Sequence, residues 1–328
     1  MGEDRSMLER INQIAKEIGV PTKKIMDFLF ILQTGEPVEN NKLLQRVGVS
    51  KNALNQTKEL LSSLLNPPSK STQLAESAIM EVKTILGSDY KPEETLWSLL
   101  EDDYYRKSIE LLGKYAGQRP SPERKYDQFT ATVETTAKRA SLLNFFEDVR
   151  GKRLLFLGDD DFTSVAVAGL HTAPEVAVLD IDNRILDGID SISKSEKLEI
   201  NSGNYDARKT LPLSYSGKFD VVFTDPPYTA DGIKLFVSRA IQALDLSNQT
   251  TRIYICYGNS DRAKERFLPI YEMFSASGLM VRWVFDKFNR YQGAKSIGSA
   301  SSLFILKATS KTKPLITENY DRPIYTNN

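Results

Sequence analysis

The spacing of apolar residues changes about halfway along the chain. Apolar positions recur every three or four residues in segments 8–65, 74–86, 93–115 and 135–149, which predicts amphipathic helices. From Lys152 onward, short apolar runs alternate with helical patterns. Alternation of this kind is typical of a parallel sheet covered by helices on both faces.

This second half is predicted to contain seven strands and four helices. Strands are expected at residues 153–157, 175–179, 198–201, 219–223, 252–257, 281–285 and 303–307, and helices at 164–169, 183–193, 233–244 and 263–277. The last two strands are joined by a glycine-containing segment and are expected to pair as an antiparallel edge. The predicted fold class is therefore α/β with a mostly parallel sheet, which resembles the Rossmann-like sheet of methyltransferase-type domains.

Proline and polar residues mark the expected domain boundaries. Segment 66–71 has the composition of a linker. Residues 1–68 are therefore predicted to form a small, helical, winged-helix-like domain, and residues 69–150 a helical lead-in. Residues 151–310 then form the catalytic domain, and residues 311–328 a flexible tail.

The N-terminal helices resemble a helix-turn-helix unit, in which Ser50 caps the second helix. A DNA-binding role would place four polar side chains in a major groove, namely Lys51, Asn52, Asn55 and Gln56. Residues 1–66 carry nine Lys and Arg against eight Asp and Glu, which is weak for a module that must neutralise phosphates. Docking or dimerisation is the preferred interpretation, and DNA binding is the alternative.

Composition narrows the possible functions. The 328 residues include 43 Lys and Arg and 43 Asp and Glu, so no overall field attracts nucleic acid or an anionic membrane. With one histidine, His171, and one cysteine, Cys256, we expect neither a zinc site nor an internal disulfide. No segment approaches the roughly 20 apolar residues of a membrane span. A cytoplasmic protein is expected.

Three consecutive aspartates follow the first strand of the predicted sheet. Gly158 permits a tight turn and close approach of a ligand, and Asp159, Asp160 and Asp161 come directly after it. In methyltransferase-type domains the amino-acid tail of S-adenosylmethionine lies here, and added carboxylates would repel its carboxylate. Decarboxylated S-adenosylmethionine carries only an ammonium there and would be attracted. One of the three aspartates is expected to cap the next helix instead.

A second acidic motif follows the strand predicted at 219–223. Pro226 and Pro227 stiffen the chain, so Asp225 is fixed at the strand end with Tyr228 over the pocket. The same motif occurs in amino-methyltransferases of adenine, cytosine and glutamine, where the acid or amide holds a planar amine. Because open α/β sheets bind ligands at the carboxyl ends of their strands, the two motifs predict one cation-binding pocket.

Two further aspartates are candidates for contacts with a nucleoside. Asp180 follows Gly158 by about 20 residues, the spacing at which a carboxylate accepts hydrogen bonds from ribose hydroxyls. Its alternative role is helix capping, for which Asp182 or Asn183 would serve equally well. Asp206 follows the third strand, where such folds place an adenine-reading side chain, and is a candidate for the adenine amino group.

These motifs, in this order, resemble the branched-chain polyamine synthases, N4-bis(aminopropyl)spermidine synthase, a family of thermophilic archaea and bacteria. The matching segments are 126–132, 157–161, 225–228, 288–291 and 297–299. The resemblance implies a Rossmann-like aminopropyltransferase domain behind a winged-helix-like domain, usually as a homodimer. It also implies decarboxylated S-adenosylmethionine as co-substrate and spermidine as acceptor, with neither a permanently bound cofactor nor a metal.

The expected reaction is attack by the secondary amine of spermidine on the aminopropyl carbon beside the sulfonium, which displaces 5'-methylthioadenosine in one step. Asp161 is expected to bind the donor's ammonium, and Asp225 the attacking nitrogen. The predicted donor-binding residues are Gly158, Asp161, Asp180, Asp206 and Pro226, and the predicted acceptor-binding or catalytic residues are Asp127, Asp159, Asp160, Asp161, Asp225 and Tyr228. The aromatic residues Tyr320 and Tyr325 either close the acceptor side or belong to a disordered tail.

Two other functions compete with this prediction. An S-adenosylmethionine-dependent amino-methyltransferase acting on nucleic acid or protein would explain the motif at Asp225 and the helix-turn-helix pattern. The three aspartates and the nearly neutral net charge of the N-terminal domain argue against it. A transcriptional regulator that senses polyamines with an inactive enzyme domain is the third possibility.

Overall fold

The structure is a computed structural model that describes residues 2–47, 49, 51–92, 101–258, 265–291 and 300–326. The chain divides into two units. The first comprises Met1–Leu100 and Leu143–Gly151, and the second Glu101–Leu142 and Lys152–Asn328.

The first unit consists of short amphipathic helices around an apolar core. Its elements are α1 (Gly2–Ile18), α2 (Thr22–Leu32), β1 (Val38–Glu39), α3 (Asn40–Val47), α4 (Lys51–Leu60), β2 (Ser71–Thr72) and α5 (Glu76–Leu86). Apolar residues of α1, α2, α4 and α5 are buried together, among them Ile11, Phe28, Leu54 and Val82. A winged-helix identity stays a prediction, and Ser50 lies outside the described residues.

The linker predicted at residues 66–71 lies inside this unit. Strands β1 and β2 pair antiparallel, with Val38 opposite Thr72 and Glu39 opposite Ser71. The proline- and serine-rich segment therefore leads directly into a strand that pairs back within the same unit. The expected domain boundary does not coincide with the division of the structure, because pairing between distant segments is not visible in local composition.

The second unit contains the predicted α/β sheet. Its elements are α6 (Asp103–Lys114), α7 (Val133–Phe145, which continues into the first unit), β3 (Arg153–Leu157), α8 (Thr163–Ala168), β4 (Glu175–Asp180), α9 (Asn183–Glu196), β5 (Ile200–Asn204), β6 (Val221–Thr224), α10 (Ala230–Ala243), β7 (Arg252–Tyr257), α11 (Leu268–Ala276), β8 (Met280–Arg290) and β9 (Ala300–Lys307).

The strand order is β5-β4-β3-β6-β7-β9-β8. Strands β3 to β7 run parallel, while β9 is antiparallel to both β7 and β8. The predicted mostly parallel α/β sheet with an antiparallel edge is confirmed. Strands β6 and β7 are buried along their whole length, as central strands covered on both faces must be. The last two strands are longer than predicted, since pairing continues past two register shifts to Asn289 and Ser301.

The C-terminal segment packs against this unit, whereas its polar composition predicted a flexible tail. Arg239, buried on α10, donates to the main-chain carbonyl of Glu318 (Nη2–O, 2.6 Å). The Thr229 hydroxyl donates to the carbonyl of Ile324 (2.6 Å), whose side chain is fully buried. Contacts between residues so distant in sequence leave no local signal, which is why the prediction was wrong.

Candidate active site

A cavity lies at the carboxyl ends of β3, β4 and β6. The sheet puts these ends side by side, because β3 pairs in parallel with both β4 and β6. Seven of the predicted site residues line it: Asp127, Gly158, Asp159, Asp160, Asp180, Asp225 and Tyr228. The two acidic motifs therefore meet in one cavity, as their positions at strand ends predicted.

The turn after β3 combines a ligand-sized opening with a helix cap. Gly158 has φ +76°, a conformation that glycine adopts without strain. Asp159 caps α8 by accepting hydrogen bonds from the backbone N–H groups of Thr163 (Oδ1, 2.8 Å) and Ser164 (Oδ2, 3.1 Å). Burial raises the pKa of Asp159 to about 7, although the hydrogen bonds from Ser164 act in the opposite direction. Asp159 is therefore the aspartate of the three that caps the helix.

Asp180 ends β4 on the opposite side of the turn. Its two oxygens accept the backbone N–H groups of Asp159 (2.9 Å) and Asp182 (2.8 Å). Asp182, and not Asp180, caps α9 by accepting the N–H of Arg184 (3.0 Å). Burial raises the pKa of Asp180 to about 6. Asp180 does not cap a helix, and it lines the cavity. Each of its oxygens can accept a further hydrogen bond, for example from a ribose hydroxyl.

Asp160 differs from its two neighbours in its hydrogen bonding to the described residues. Its carboxylate accepts no hydrogen bond from any residue that the structure describes, and it lines the cavity half-buried. Burial, followed by the negative charges of Asp161, Asp225 and Asp180, raises its pKa well above the ordinary value. A carboxylate in this state takes up a proton more readily than an ordinary surface aspartate.

Asp161 corrects the sequence-based prediction, because it points away from the cavity. Its Oδ2 accepts a hydrogen bond from Arg139 Nη1 (2.7 Å), and its Oδ1 accepts the backbone N–H of Ala131. Asp161 is 2% exposed and is not among the residues that line the cavity. The carboxylate predicted to hold the donor's ammonium is thus bound to an arginine of the protein.

Asp225 shares that same arginine. Its Oδ2 accepts hydrogen bonds from Arg139 Nη2 (2.8 Å) and from the Tyr291 hydroxyl (2.7 Å). Its Oδ1 accepts none from the described residues, and the carboxylate lines the cavity. Burial raises the pKa of Asp225, while Arg139 acts against that rise. One oxygen is therefore held by the protein and the other is left for a ligand.

Aromatic side chains form the rest of the wall. Tyr126 packs on Tyr325 of the C-terminal segment (ring centroids 5.7 Å apart), and Phe129 packs edge-on to Tyr228 (5.9 Å). The Tyr228 hydroxyl is buried without a hydrogen-bond partner in the described part of the chain. Aromatic faces beside carboxylates attract alkylammonium groups through both charge and cation–π contact. Tyr325 reaches the cavity, as one of the two interpretations of the tail proposed.

The remaining predicted residues take other positions. Asp127 lines the cavity, but its carboxylate accepts hydrogen bonds from the backbone N–H of Thr326 (2.9 and 3.1 Å) and from the Thr326 hydroxyl. Asp206 pairs with Arg208 (2.7 Å), and neither Asp206 nor Pro226 lines the cavity formed by the described residues. Burial acts to raise the pKa of Asp206, but hydrogen bonds from Arg208 outweigh it and the pKa is lowered.

Sequence reasoning missed Arg139 and gave no role to Asn289 or Tyr291. A signal for Arg139 was present. It occupies the buried side of α7 with Thr136 and Leu143, and a cation is rarely buried unless it is paired. Asn289 and Tyr291 belong to one of the segments that carry the family resemblance, while residues 297–299 lie outside the described part of the chain.

Neither a cluster of metal-binding side chains nor a membrane-spanning helix occurs among the described residues. In the described part of the chain, no three His, Cys, Asp or Glu side chains are placed to hold a metal ion. No described helix has the length and apolar character needed to cross a membrane.

Fold and cavity together define an α/β domain of the methyltransferase-like fold class, with a pocket lined by acidic and aromatic side chains. Residues 108–324 match the family described as the branched-chain polyamine synthase A C-terminal domain, and the chain belongs to that family. A protein of Methanocaldococcus jannaschii that has no assigned function is 30% identical over 310 residues, which cover 92% of this chain and 78% of that protein.

Relatives with an assigned function match over a smaller part. The N(4)-bis(aminopropyl)spermidine synthase of Methanocaldococcus jannaschii is 37% identical over 141 residues, which cover 43% of this chain and 40% of that enzyme. The synthase of Thermococcus kodakarensis is 36% identical over 160 residues, 48% and 45% of the two chains. The chain thus spans less than half the length of these two relatives.

A solved structure matches the whole fold. The branched-chain polyamine synthase of Thermus thermophilus, crystallised with N4-aminopropylspermidine and 5'-methylthioadenosine, superimposes with a TM-score of 0.62 at 22% identity, over 97% of both chains.

Proposed function

We propose that this protein transfers the aminopropyl group of decarboxylated S-adenosylmethionine to the secondary amine N4 of spermidine, giving a branched polyamine and 5'-methylthioadenosine. The observation that carries this proposal is one cavity lined by Asp159, Asp160, Asp180 and Asp225, in a chain of the branched-chain polyamine synthase family. Such a cavity favours polycations over ligands that carry a carboxylate of their own.

The donor is proposed to lie along the turn at Gly158. Asp180 accepts hydrogen bonds from the ribose hydroxyls, since both of its oxygens retain acceptor capacity beside their backbone partners. The aminopropyl chain then extends past Asp159 and Asp160 towards Asp225. Intact S-adenosylmethionine would bring its carboxylate next to these acids, and the repulsion disfavours it.

The acceptor must lose a proton before it can attack, because an ammonium has no lone pair. Asp160 is the proposed proton acceptor, since it has no hydrogen-bond donor of its own and a raised pKa. Asp225 Oδ1 orients the attacking nitrogen. The nitrogen lone pair forms the new N–C bond, the C–S bond breaks, and its electron pair stays on sulfur, which leaves as 5'-methylthioadenosine. Tyr228 packs beside the amine.

The methyltransferase alternative is not favoured, because the chain belongs to a polyamine synthase family and its pocket is lined by carboxylates. Homodimer formation, a cytoplasmic location and the absence of a nucleic-acid partner remain proposals that rest on sequence and family resemblance.

A donor competition tests the proposal. The protein is incubated with spermidine and either decarboxylated or intact S-adenosylmethionine, and the products are analysed by mass spectrometry. We expect the mass of spermidine to increase by one or two aminopropyl groups with the decarboxylated donor only. Methyl transfer from the intact donor would refute the proposal and support the alternative.

A matched pair of variants tests the residues. Asp225→Asn should lower the rate of transfer by about 10²- to 10⁴-fold. Asp220 lies just before the other end of β6, where its carboxylate binds Arg153 (3.2 Å). The control variant Asp220→Asn should therefore leave the rate of transfer nearly unchanged. Near-normal turnover by Asp225→Asn would remove Asp225 from the mechanism.

A further inference from the structure

Arg139 is buried behind the cavity and connects four separate parts of the fold. Its guanidinium donates to Asp161 after β3, to Asp225 after β6, and to Asn289 Oδ1 on β8 (Nε–Oδ1, 2.8 Å). Its side chain is 1% exposed and does not line the cavity formed by the described residues. The Phe223 ring lies 5.3 Å from the guanidinium carbon. Arg139 therefore contacts carboxylates of both acidic motifs from behind the cavity, without being one of its lining residues.

A chain of hydrogen bonds also connects Asp225 to Asn289, the two groups that Arg139 contacts after β6 and on β8. The Tyr291 hydroxyl donates to Asp225 Oδ2 and lies 2.8 Å from Ser301 Oγ, which in turn accepts a hydrogen bond from Asn289 Nδ2 (2.9 Å). These links are hydrogen bonds of ordinary length between buried or partly buried groups, so the position of the guanidinium is fixed from several sides. Second-layer contacts of this kind hold a reacting group to the accuracy that catalysis needs.

We propose that Arg139 is a positioning residue of aminopropyl transfer, which fixes Asp225 by binding its Oδ2 so that Oδ1 alone is presented to the attacking amine. The planar fork matters as much as the charge. Two donors on one rigid group set the separation of Asp161 and Asp225, whereas a lysine ammonium supplies charge without that geometry. The inference rests on the proposed function and adds a residue to it.

Two effects should follow from loss of the fork. A displacement of about 1 Å at a reacting group can lower the rate about 100-fold. Because Arg139 also opposes the rise in the pKa of Asp225, a weaker contact should move the acidic limb of the pH profile upwards. A residue that only supported the fold would lower stability without moving that limb.

The test compares Arg139→Lys with Arg119→Lys. Arg119 is a neighbouring, part-buried arginine that donates to the main-chain carbonyls of Asp161 (2.6 Å) and Ala131 (2.9 Å) and to the Thr136 hydroxyl (3.2 Å). Among the described residues it donates to no carboxylate. Both variants keep the charge. We expect Arg139→Lys to lower kcat about 100-fold, with the KM for the donor changed less than about threefold, and to shift the acidic limb by about one pH unit. Arg119→Lys should do neither.

A second variant and a second measurement keep the inference testable if Arg139→Lys folds poorly. Tyr291→Phe removes the other donor to Asp225 Oδ2 and should shift the acidic limb in the same direction. Spermidine binding, followed by calorimetry across the same pH range, should show the same shift without catalysis. If wild type binds spermidine but transfers no aminopropyl group, the proposed function fails while the binding shift still tests Arg139. The inference would be overturned if Arg139→Lys and Tyr291→Phe both kept the wild-type kcat and the wild-type acidic limb of the pH–rate profile. It would also be overturned if the wild-type protein did not bind spermidine.

Discussion

The ligand-free protein should lose stability as the pH rises from about 5 to about 8, because carboxylates of the cavity ionise at a cost in the folded state. Burial raises the pKa of Asp159 from 3.8 to about 7 and that of Asp180 to about 6. In the unfolded chain both groups have ordinary values. The folded state therefore binds protons more tightly, and the stability that this contributes is complete at low pH and is lost as the pH passes the folded pKa values.

The size of the effect follows from these shifts. Above about pH 5 the unfolded chain has lost the proton that folded Asp159 retains up to its pKa of about 7. The free energy of unfolding therefore falls by up to about 1.4 kcal/mol per pH unit, and by about 3 kcal/mol in all between pH 5 and pH 8. Asp180 contributes about 1 kcal/mol more over the same range. Asp160 acts in the same direction, since its pKa is also raised.

Equilibrium unfolding in urea at several pH values measures this directly. Asp159→Asn keeps an oxygen at the helix cap but cannot ionise. The decrease in the free energy of unfolding with rising pH should therefore be about 3 kcal/mol smaller in this variant than in the wild type. Asp220→Asn is the matched control: hydrogen bonds from Arg153 outweigh burial and lower the pKa of Asp220, so this group does not titrate in the range and the wild-type slope should persist.

Saturating spermidine should also flatten the dependence, because bound ammonium groups favour ionised carboxylates. A wild-type protein whose stability is constant or increases over this range would refute the reasoning. An unchanged slope in Asp159→Asn would show that Asp159 is not the residue responsible.

Three other predictions concern single carboxylates. Asp180→Asn should weaken binding of 5'-methylthioadenosine about tenfold, through loss of a charge-assisted hydrogen bond to ribose, and equal affinity in calorimetry would contradict this. Asp127→Ala should increase hydrogen exchange of the Thr326 amide by about 10- to 100-fold, because the amide loses a charged acceptor; unchanged protection would contradict the contact. Asp160→Asn should raise the melting temperature at pH 8 while lowering transfer about 100-fold, and a lower melting temperature would argue against charge repulsion at this residue.

Local motifs were sufficient to locate the cavity. The motif at Gly158 and the motif at Asp225 each follow an apolar strand, and parallel strands place their carboxyl ends on one edge of the sheet. The position of Asp180 also follows from its spacing along the chain. For these residues, the pattern of apolar strands and the rule that α/β sheets bind ligands at the carboxyl ends of their strands were enough to predict the position.

Partners distant in sequence could not be predicted in the same way. Arg139 binds Asp161, Asp225 and Asn289, which lie 22, 86 and 150 residues further along the chain. The packing of the C-terminal segment, through Thr326 and Asp127, joins residues 199 positions apart. Pairings over such distances depend on how the helices and the sheet dock, and no pattern within one element encodes them.

The three consecutive aspartates show why a motif alone does not assign roles. All three are acidic and adjacent, yet Asp159 accepts backbone N–H groups, Asp161 binds Arg139, and Asp160 alone has no donor in the described structure. A carboxylate that already accepts hydrogen bonds from the protein is fixed in place, whereas one without donors and close to other negative charges gains most from a proton or an ammonium group. The donors that the fold supplies, rather than the order of the motif, therefore determine which aspartate exchanges a proton with substrate.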